Sequence, residues 1–324
     1  MTDDDMPTTG SDKRPANWER DLLERLAFAA LTEQRRARRW GIFFKLFFAA
    51  YLVLILVLAQ SDSLDGKALK AEHTALIEME GVISSDSLAN ADNVISGLRA
   101  AFENKSTQGI VLRANSPGGS PVQAGYIFDE IRRLRAKHPK VPLYAVIGDM
   151  CASGCYYVVA AADKIYADKA SIVGSIGVLM NGFGFVDTMK KIGVERRLMT
   201  AGEHKGFLDP FGPVKPAETK HAQQMLDEIH LQFIETVRQG RGKALKETRD
   251  MFSGLFWTGE EAIKLGLVDS LGGTSYVARE VIGAEEIVDY TYRENVLDRF
   301  ARRLGTAMAQ TIGTELLGRS PMLK

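Results

Sequence analysis

Length, composition and charge set the first limits on this chain. Its 324 residues allow one large domain or two small ones, and 45% apolar with 25% charged residues is ordinary for a globular protein. The 41 basic residues balance the 41 acidic ones, so the charge gives no indication of nucleic acid as a partner. The two cysteines are too few for a disulfide framework or a zinc site, and neither a metal nor a cofactor is expected.

An apolar stretch at residues 41–59 is long enough to cross a membrane as one helix. Its single charge, Lys45, lies near one end, where it can reach the lipid headgroups. Arginines precede the stretch and aspartates follow it, which predicts a cytoplasmic tail at residues 1–40 and a translocated remainder. A cleaved signal peptide is the alternative, but 40 residues exceed an ordinary n-region. We therefore expect an uncleaved anchor that contacts membrane lipid.

The rest of the chain divides into a linker, a large domain and a C-terminal segment. Residues 60–73 are polar, and residues 74–290 alternate strand-like and helix-like patterns. Residues 291–324 carry apolar positions at helical spacing, which predicts an amphipathic helix. That helix suits a core or subunit contact, with the membrane surface as the alternative. A further amphipathic helix is predicted in the tail, at residues 18–31.

The large domain is predicted to consist of repeated βα units. Strands are expected at residues 75–83, 109–114, 141–147, 164–166 and 195–199. Helices are expected at residues 88–105, 122–137, 152–162 and 185–192. This alternation predicts an α/β fold with a mostly parallel sheet and helical crossovers. Functional sites in such folds lie in the loops that follow the carboxyl ends of the strands.

Two of these loops carry unusual sequences. The first, Asn-Ser-Pro-Gly-Gly-Ser at residues 115–120, contains Gly118 and Gly119, which let a ligand approach the peptide N–H groups at a helix start. The second places Ser153 between alanine and glycine at the start of a buried helix. Alone, the first could be an ordinary turn and the second an N-capping serine. Because neighbouring strand ends meet, together they predict a serine nucleophile beside an oxyanion-binding cradle.

A serine nucleophile needs a base, and the loop at residues 201–207 offers two. His204 could form a triad with a carboxylate such as Asp149 or Asp209. Lys205 could act instead, because burial disfavours the charged form of a lysine. The residue types alone leave both bases open.

Three segments in order then resemble one known family. They read NSPGGSPVQAGYIFDEIRRL, DMCASGCYYVVAAADKIYADKASIVGSIGV and AGEHKGFLDPF. They are similar to the signal peptide peptidase A (SppA) and SohB group of S49 serine peptidases, which are membrane-anchored relatives of the Clp protease (ClpP) and crotonase folds. The resemblance covers roughly residues 75–275. It implies a ClpP/crotonase-like fold on a bacterial inner membrane, with the peptidase domain in the periplasm.

The resemblance also implies a role for each matching residue. The family nucleophile, the serine of A-S-G-x-Y-Y, is Ser153 here, and the general-base lysine of G-x-x-K is Lys205. Gly118 matches the glycine of N-S-P-G-G and would bind the oxyanion with the Gly154 N–H group, and Gly119 stands beside it in the same cradle. The family's half-length members form rings in which adjacent subunits contribute the serine and the lysine, so we expect a homo-oligomer.

Further expectations concern the surroundings of this dyad. Ser175 is the candidate for orienting the lysine, with an ordinary turn serine as the alternative. The expected substrates are hydrophobic peptides, such as signal-peptide remnants and unfolded or membrane-derived peptides. Pocket residues are expected near three apolar side chains, Leu179, Met180 and Phe183.

Two cysteines flank the serine, and Cys155 stands where the family often has a small residue. A disulfide to Cys151 could form outside the cytoplasm, but four-residue spacing at a helix start strains its geometry. Two buried thiols are therefore expected.

Two other functions stay open at this point. A crotonase-type acyl-CoA enzyme would bind CoA and tolerate the loss of Ser153. A non-catalytic membrane scaffold of the same fold would assemble without covalent chemistry at that serine.

Overall fold

The chain divides into two units, residues 1–65 and residues 66–324. The computed structural model describes residues 18–60 and 71–293. The start of the predicted cytoplasmic tail, most of the predicted linker and nearly all of the predicted C-terminal helix lie outside these residues.

The described part of the first unit is a single helix, α1 (Trp18–Gln60), which includes the tail helix predicted at residues 18–31. Its large apolar side chains between Ile42 and Ile55 are exposed. Among the described residues, no helix is both long enough and apolar enough to cross a membrane. The anchor predicted at residues 41–59 includes side chains beyond Ile55 that lie outside the described set.

The centre of the second unit is a β-sheet built from its most apolar segments. The strands are β1 (His73–Glu80), β2 (Thr107–Ser116), β3 (Leu143–Ala152), β4 (Lys164–Ala167), β5 (Ile172–Gly174), β6 (Phe256–Thr258), β7 (Ser270–Leu271) and β8 (Ile287–Asp289). Their order is β6-β5-β3-β2-β1-β8, with β4 beside β3 and β7 beside β4. All these pairs are parallel except β5 with β6. The central strands are buried on both faces, which is why they read as apolar runs.

Helices follow most of the central strands. They are α2 (Ala91–Glu103), α3 (Pro121–Lys137), α4 (Gly154–Val159), α5 (Val186–Lys191), α6 (Pro216–Arg241), α7 (Gly259–Lys264) and α8 (Thr274–Tyr276), which continues as a π-helical turn. The side chains of Asn90 and Ser120 accept N–H groups at the starts of α2 and α3 and so fix where these helices begin. The buried faces of α2, α3 and α4 contribute to one apolar core against the sheet.

The sheet forks at β3. Residues Tyr144–Val146 pair with β4, whereas Met150–Ala152 pair with β5. On the other side of β3, Ser116 at the end of β2 is in register with Cys151. The fork therefore brings the loops that follow β2, β3 and β5 to one place at the sheet's carboxyl edge.

The predicted α/β class with a mostly parallel sheet is confirmed. The strand predicted at residues 195–199 is wrong, because this segment has no regular structure and Met199 is 95% exposed, with no neighbouring strand to pair with it. The helix predicted at residues 152–162 is shorter: Ala152 ends β3, Ser153 forms a turn, and the helix covers only Gly154–Val159. The sequence reasoning missed α6, a helix of 26 residues.

The packing of α6 against α4 provides a test of the fold. A Cβ on Gly240 would lie 2.1 Å from the Ala160 carbonyl oxygen, whereas a Cβ on Gly125, in α3, would meet nothing within 4 Å. We expect Gly240→Ala to lower the free energy of unfolding by about 1–3 kcal/mol. Gly125→Ala, the matched control, should raise it by about 0.5–1 kcal/mol, since alanine favours the helix. Urea denaturation measures both, and a Gly240→Ala variant as stable as wild type would contradict the close contact.

Candidate active site

Ser153 forms the turn between β3 and α4. Its backbone has φ 54° and ψ −124°, a conformation that few residues with a Cβ adopt. Its N–H donates to the Gly174 carbonyl at 2.8 Å, so the end of β5 holds the turn. The Ser153 side chain makes no capping bond to α4, which rules out the interpretation as an N-capping serine. Backbone strain of this kind clusters at functional sites, because the surrounding structure must maintain it.

The glycine loop after β2 packs directly against this turn. A Cβ on Gly118 would lie 2.6 Å from the Ala152 oxygen and 2.8 Å from the Ser153 Cβ, so a side chain cannot fit. The Gly118 N–H is already engaged, because it donates to the Ser116 hydroxyl at 3.0 Å. Gly118 thus gives the loop its shape and its close approach to the serine.

Two other N–H groups beside Ser153 are available to a ligand. Among the described residues, those of Gly119 and Gly154 donate to no protein acceptor. They lie close together, since a Cβ on Gly154 would be 3.2 Å from the Gly119 nitrogen. Unpaired N–H groups at this position suit a developing oxyanion. The available pair is therefore Gly119 with Gly154, in place of the expected pair of Gly118 with Gly154.

Cys151 and Cys155 form a disulfide that crosses the serine turn, and the expectation of two buried thiols is wrong. The expectation treated both residues as part of one helix start. In the structure Cys151 belongs to β3 and only Cys155 to α4, and the chain reversal at Ser153 brings their Cα atoms to 5.2 Å. This separation is within the usual disulfide range of about 4.4–6.8 Å. Both cysteines are fully buried, so the bond lies in the core beneath the turn.

A cleft of about 860 Å³ opens beside Ser153, between α3 and α6. Its walls are mostly apolar and include Val122, Tyr126, Tyr157, Ile229 and Phe233. Two of these side chains come from α6, a helix that the sequence reasoning missed although apolar residues recur there at every fourth position, at 229, 233 and 237.

Some of the residues predicted to lie near the dyad line this cleft, and others do not. Ser175 lines it, its backbone also has a positive φ of 52°, and its N–H donates to the Leu255 carbonyl at 2.7 Å. Leu179 lines the cleft as expected. Met180 and Phe183 do not line it and are exposed on the surface.

Both candidate bases lie in an exposed loop outside the cleft. Lys205 is exposed and is absent from the cleft lining. His204 Nδ1 lies 3.5 Å from Glu218, so its carboxylate neighbour is neither of the expected ones. Asp149 instead contacts Asn115, and Asp209 pairs with Arg196. Within the described part of one chain, Ser153 therefore lies beside the unpaired N–H groups of Gly119 and Gly154 but beside neither candidate base.

Glu218, in the first turn of α6, holds the loop that carries Lys205. Its carboxylate is 4% exposed and accepts the Leu208 N–H at 3.0 Å and the Lys215 ammonium at 3.0 Å. The Leu208 N–H bond and the Lys215 bond, in that order, lower the pKa of the Glu218 carboxyl below its ordinary value of 4.5, and His204 adds to this effect. Glu218 thus ties the loop to α6 at His204 and Leu208.

This arrangement predicts that the attachment of the loop to Glu218 depends on pH. Because the pKa of Glu218 is lower in the folded state, its stabilising effect is present above about pH 4.5 and is lost as pH falls through the folded pKa. We expect the hydrogen-exchange protection factor of the Leu208 amide to fall as the pH is lowered from about 4.5 through the folded pKa of Glu218. Glu218→Gln should show low protection at neutral pH as well, whereas Lys220→Gln, an exposed neighbour on α6, should behave like wild type. Unchanged protection in Glu218→Gln would contradict the assignment.

The strained turn gives a second prediction at this site. Ser153→Ala keeps a Cβ at positive φ, whereas Ser153→Gly removes it. The glycine variant should therefore be more stable than the alanine variant by about 1 kcal/mol, the strain outweighing glycine's greater freedom in the unfolded chain. Urea denaturation at constant m-value measures the difference. A glycine variant no more stable than the alanine variant would show that the turn carries no strain.

The fold and this turn define a class, an α/β protein with a serine at a strand end facing unpaired N–H groups. The family model described as Peptidase family S49 matches residues 135–287. An inferred protease of Methanocaldococcus jannaschii is 33% identical over 219 residues, which are 66% of this chain and 70% of that protein. The chain belongs to peptidase family S49.

Two other relatives are longer than this chain. Protease 4 of Haemophilus influenzae is 32% identical over 220 residues, 66% of this chain and 35% of that protein. A protein of Brucella melitensis named Na(+)/H(+) antiporter NhaA is 45% identical over 186 residues, 57% of this chain. The match spans only 25% of the Brucella protein, so its name as an antiporter refers to a protein of which this chain matches only a quarter.

Proposed function

We propose that this protein is a serine endopeptidase in which Ser153 is the nucleophile and Lys205 the general base. The observation that carries the proposal is the strained serine turn beside the unpaired N–H groups of Gly119 and Gly154. Neutral Lys205 takes the proton of the Ser153 hydroxyl as Oγ attacks the peptide carbonyl carbon, and the two N–H groups stabilise the oxyanion. The lysine then protonates the leaving amine, and water hydrolyses the acyl-enzyme.

We place the serine and the lysine of each site on two adjacent copies of the chain in a homo-oligomeric ring. Lys205 is exposed and lies outside the cleft of its own chain. The segment around it presents large apolar side chains to solvent, at Phe183, Val194, Met199 and Val214. Exposed apolar surface of this kind is typical of a protein interface. A neighbouring copy that covers this segment would also favour the neutral amine that a base requires.

The substrates we propose are hydrophobic peptides such as cleaved signal peptides. The mostly apolar walls of the cleft support this class, as does a relative in Enterococcus faecium that is named a signal peptide peptidase. Ser175 is proposed to orient the incoming Lys205, because it lines the same cleft as Ser153. Residues 41–59 are proposed to anchor the chain in a bacterial inner membrane, with the peptidase domain in the periplasm; the exposed apolar side chains of α1 support an anchor.

The shared site is tested by mixing two inactive variants of the full-length chain in detergent. Ser153→Ala and Lys205→Ala should each lower kcat for an apolar leader peptide by at least about a thousandfold. Equal mixing under conditions of subunit exchange should restore about a quarter of wild-type activity, since each site needs one intact serine and one intact lysine from neighbouring chains. Lys220→Ala, which removes an exposed lysine of α6, is the matched control and should stay active.

Each contrary outcome identifies a different error. An inactive mixture with proven exchange would show that the site is not shared. Activity that survives Lys205→Ala and is lost in His204→Ala would assign the base to the histidine. Assembly without cleavage of any apolar peptide would favour the scaffold, and CoA turnover that is indifferent to Ser153 would favour the acyl-CoA enzyme.

A further inference from the structure

One face of α3 forms a wall of the Ser153 cleft. Val122, Gly125, Tyr126 and Asp129 all line it, at the spacing that places residues on one side of a helix. Val122 and Tyr126 are more than half exposed, and the space above Gly125 is open. A bound peptide can therefore lie along this face.

Among the described residues that line this cleft, Asp129 is the only one with a charged side chain. In the described part of the chain it forms no ion pair, because the two nearest cations that follow it on α3, one turn away, are engaged elsewhere. Arg132 donates to Gln239 at 3.1 Å, and Arg133 forms two hydrogen bonds to Glu130, at 2.7 and 2.8 Å. A mostly apolar cleft thus contains one unpaired carboxylate.

The distance from the serine turn to Asp129 follows from helix geometry. The start of α3 touches the turn, since a Cβ on Gly154 would lie 3.6 Å from the Ala124 Cβ. From Ala124 to Asp129 the helix rises about 7.5 Å at 1.5 Å per residue. An extended peptide covers that length in about two to three residues, at roughly 3.3 Å each.

We propose that Asp129 is a specificity determinant that selects peptides with a lysine or arginine about two to three positions from the scissile bond. This inference rests on the proposed peptidase function and adds a charge requirement to the apolar substrate class. A partly exposed ion pair of this kind should give a two- to fivefold preference, to order of magnitude. The preference should decrease as salt is added, because ions screen exposed charges.

The test uses the full-length protein and a set of quenched apolar peptides in which one lysine is moved through each position on both sides of the cleavage point. Each peptide is compared with its norleucine analogue, and kcat/KM is measured at low and high salt. We expect the lysine-to-norleucine ratio to peak about two to three positions from the scissile bond. Asp129→Asn should bring that ratio close to one, and Asp129→Lys should favour a glutamate at that position.

The matched control is Asp92→Asn, which removes an exposed carboxylate of α2 outside the cleft and should keep the wild-type ratio. The inference is overturned if Asp129→Asn keeps the ratio, or if it lowers kcat/KM equally for charged and neutral peptides. Ser153-dependent cleavage without any lysine preference would overturn the inference alone. Absence of Ser153-dependent cleavage would count against the proposed function, and the binding of the same peptides to Ser153→Ala by fluorescence anisotropy would then decide whether Asp129 selects charge.

Discussion

The backbone reversal at Ser153 is the constraint on which the rest of the site depends. A positive φ at a residue with a Cβ is unfavourable by about 1–3 kcal/mol and persists only where its surroundings hold it. Three restraints do so here: the bond from the Ser153 N–H to Gly174, the disulfide from Cys151 to Cys155, and the contact with Gly118. They come from β5, from the two elements that the turn joins, and from the loop after β2. Loss of one restraint therefore leaves the turn tied to the other elements.

The fork in the sheet explains how these elements reach one another. If β4 paired along the whole of β3, the end of β5 could not lie beside Ala152. Because β4 pairs only with the first half of β3, the second half accepts β5, and Gly174 and Ser175 reach the serine turn. The antiparallel pair of β5 with β6 then places Leu255 where its carbonyl accepts the Ser175 N–H. The cleft thus depends on a local change of strand partner as well as on the parallel sheet.

Sequence reasoning predicted the elements that local patterns determine. The loops at residues 115–120 and around Ser153 could be placed together because strand and helix alternate regularly before and after them. The disulfide could not be predicted, since it depends on a positive φ at Ser153 that allows Cys151 and Cys155 to approach. The false strand at residues 195–199 was predicted from the recurring order of strand and helix along the chain, but strand formation also requires a neighbouring strand, which a local pattern does not reveal. The pair of N–H groups available to an oxyanion could not be predicted either, because the hydrogen bond from the Gly118 N–H to the Ser116 hydroxyl is visible only in three dimensions.

The two halves of the proposed site are held in place by different kinds of interaction. The half with Ser153 is fixed by buried backbone contacts in the core, whereas the loop with Lys205 is exposed and is tied to α6 by polar bonds to one carboxylate, that of Glu218. Polar contacts to an exposed loop constrain it less than core packing does, so in the proposed ring the lysine would acquire its final position where another surface covers the apolar side chains around it. In the proposed ring that surface belongs to a neighbouring copy. A separate chain would then possess a strained nucleophile and an oxyanion cradle without a base, and proteolysis would begin only upon assembly.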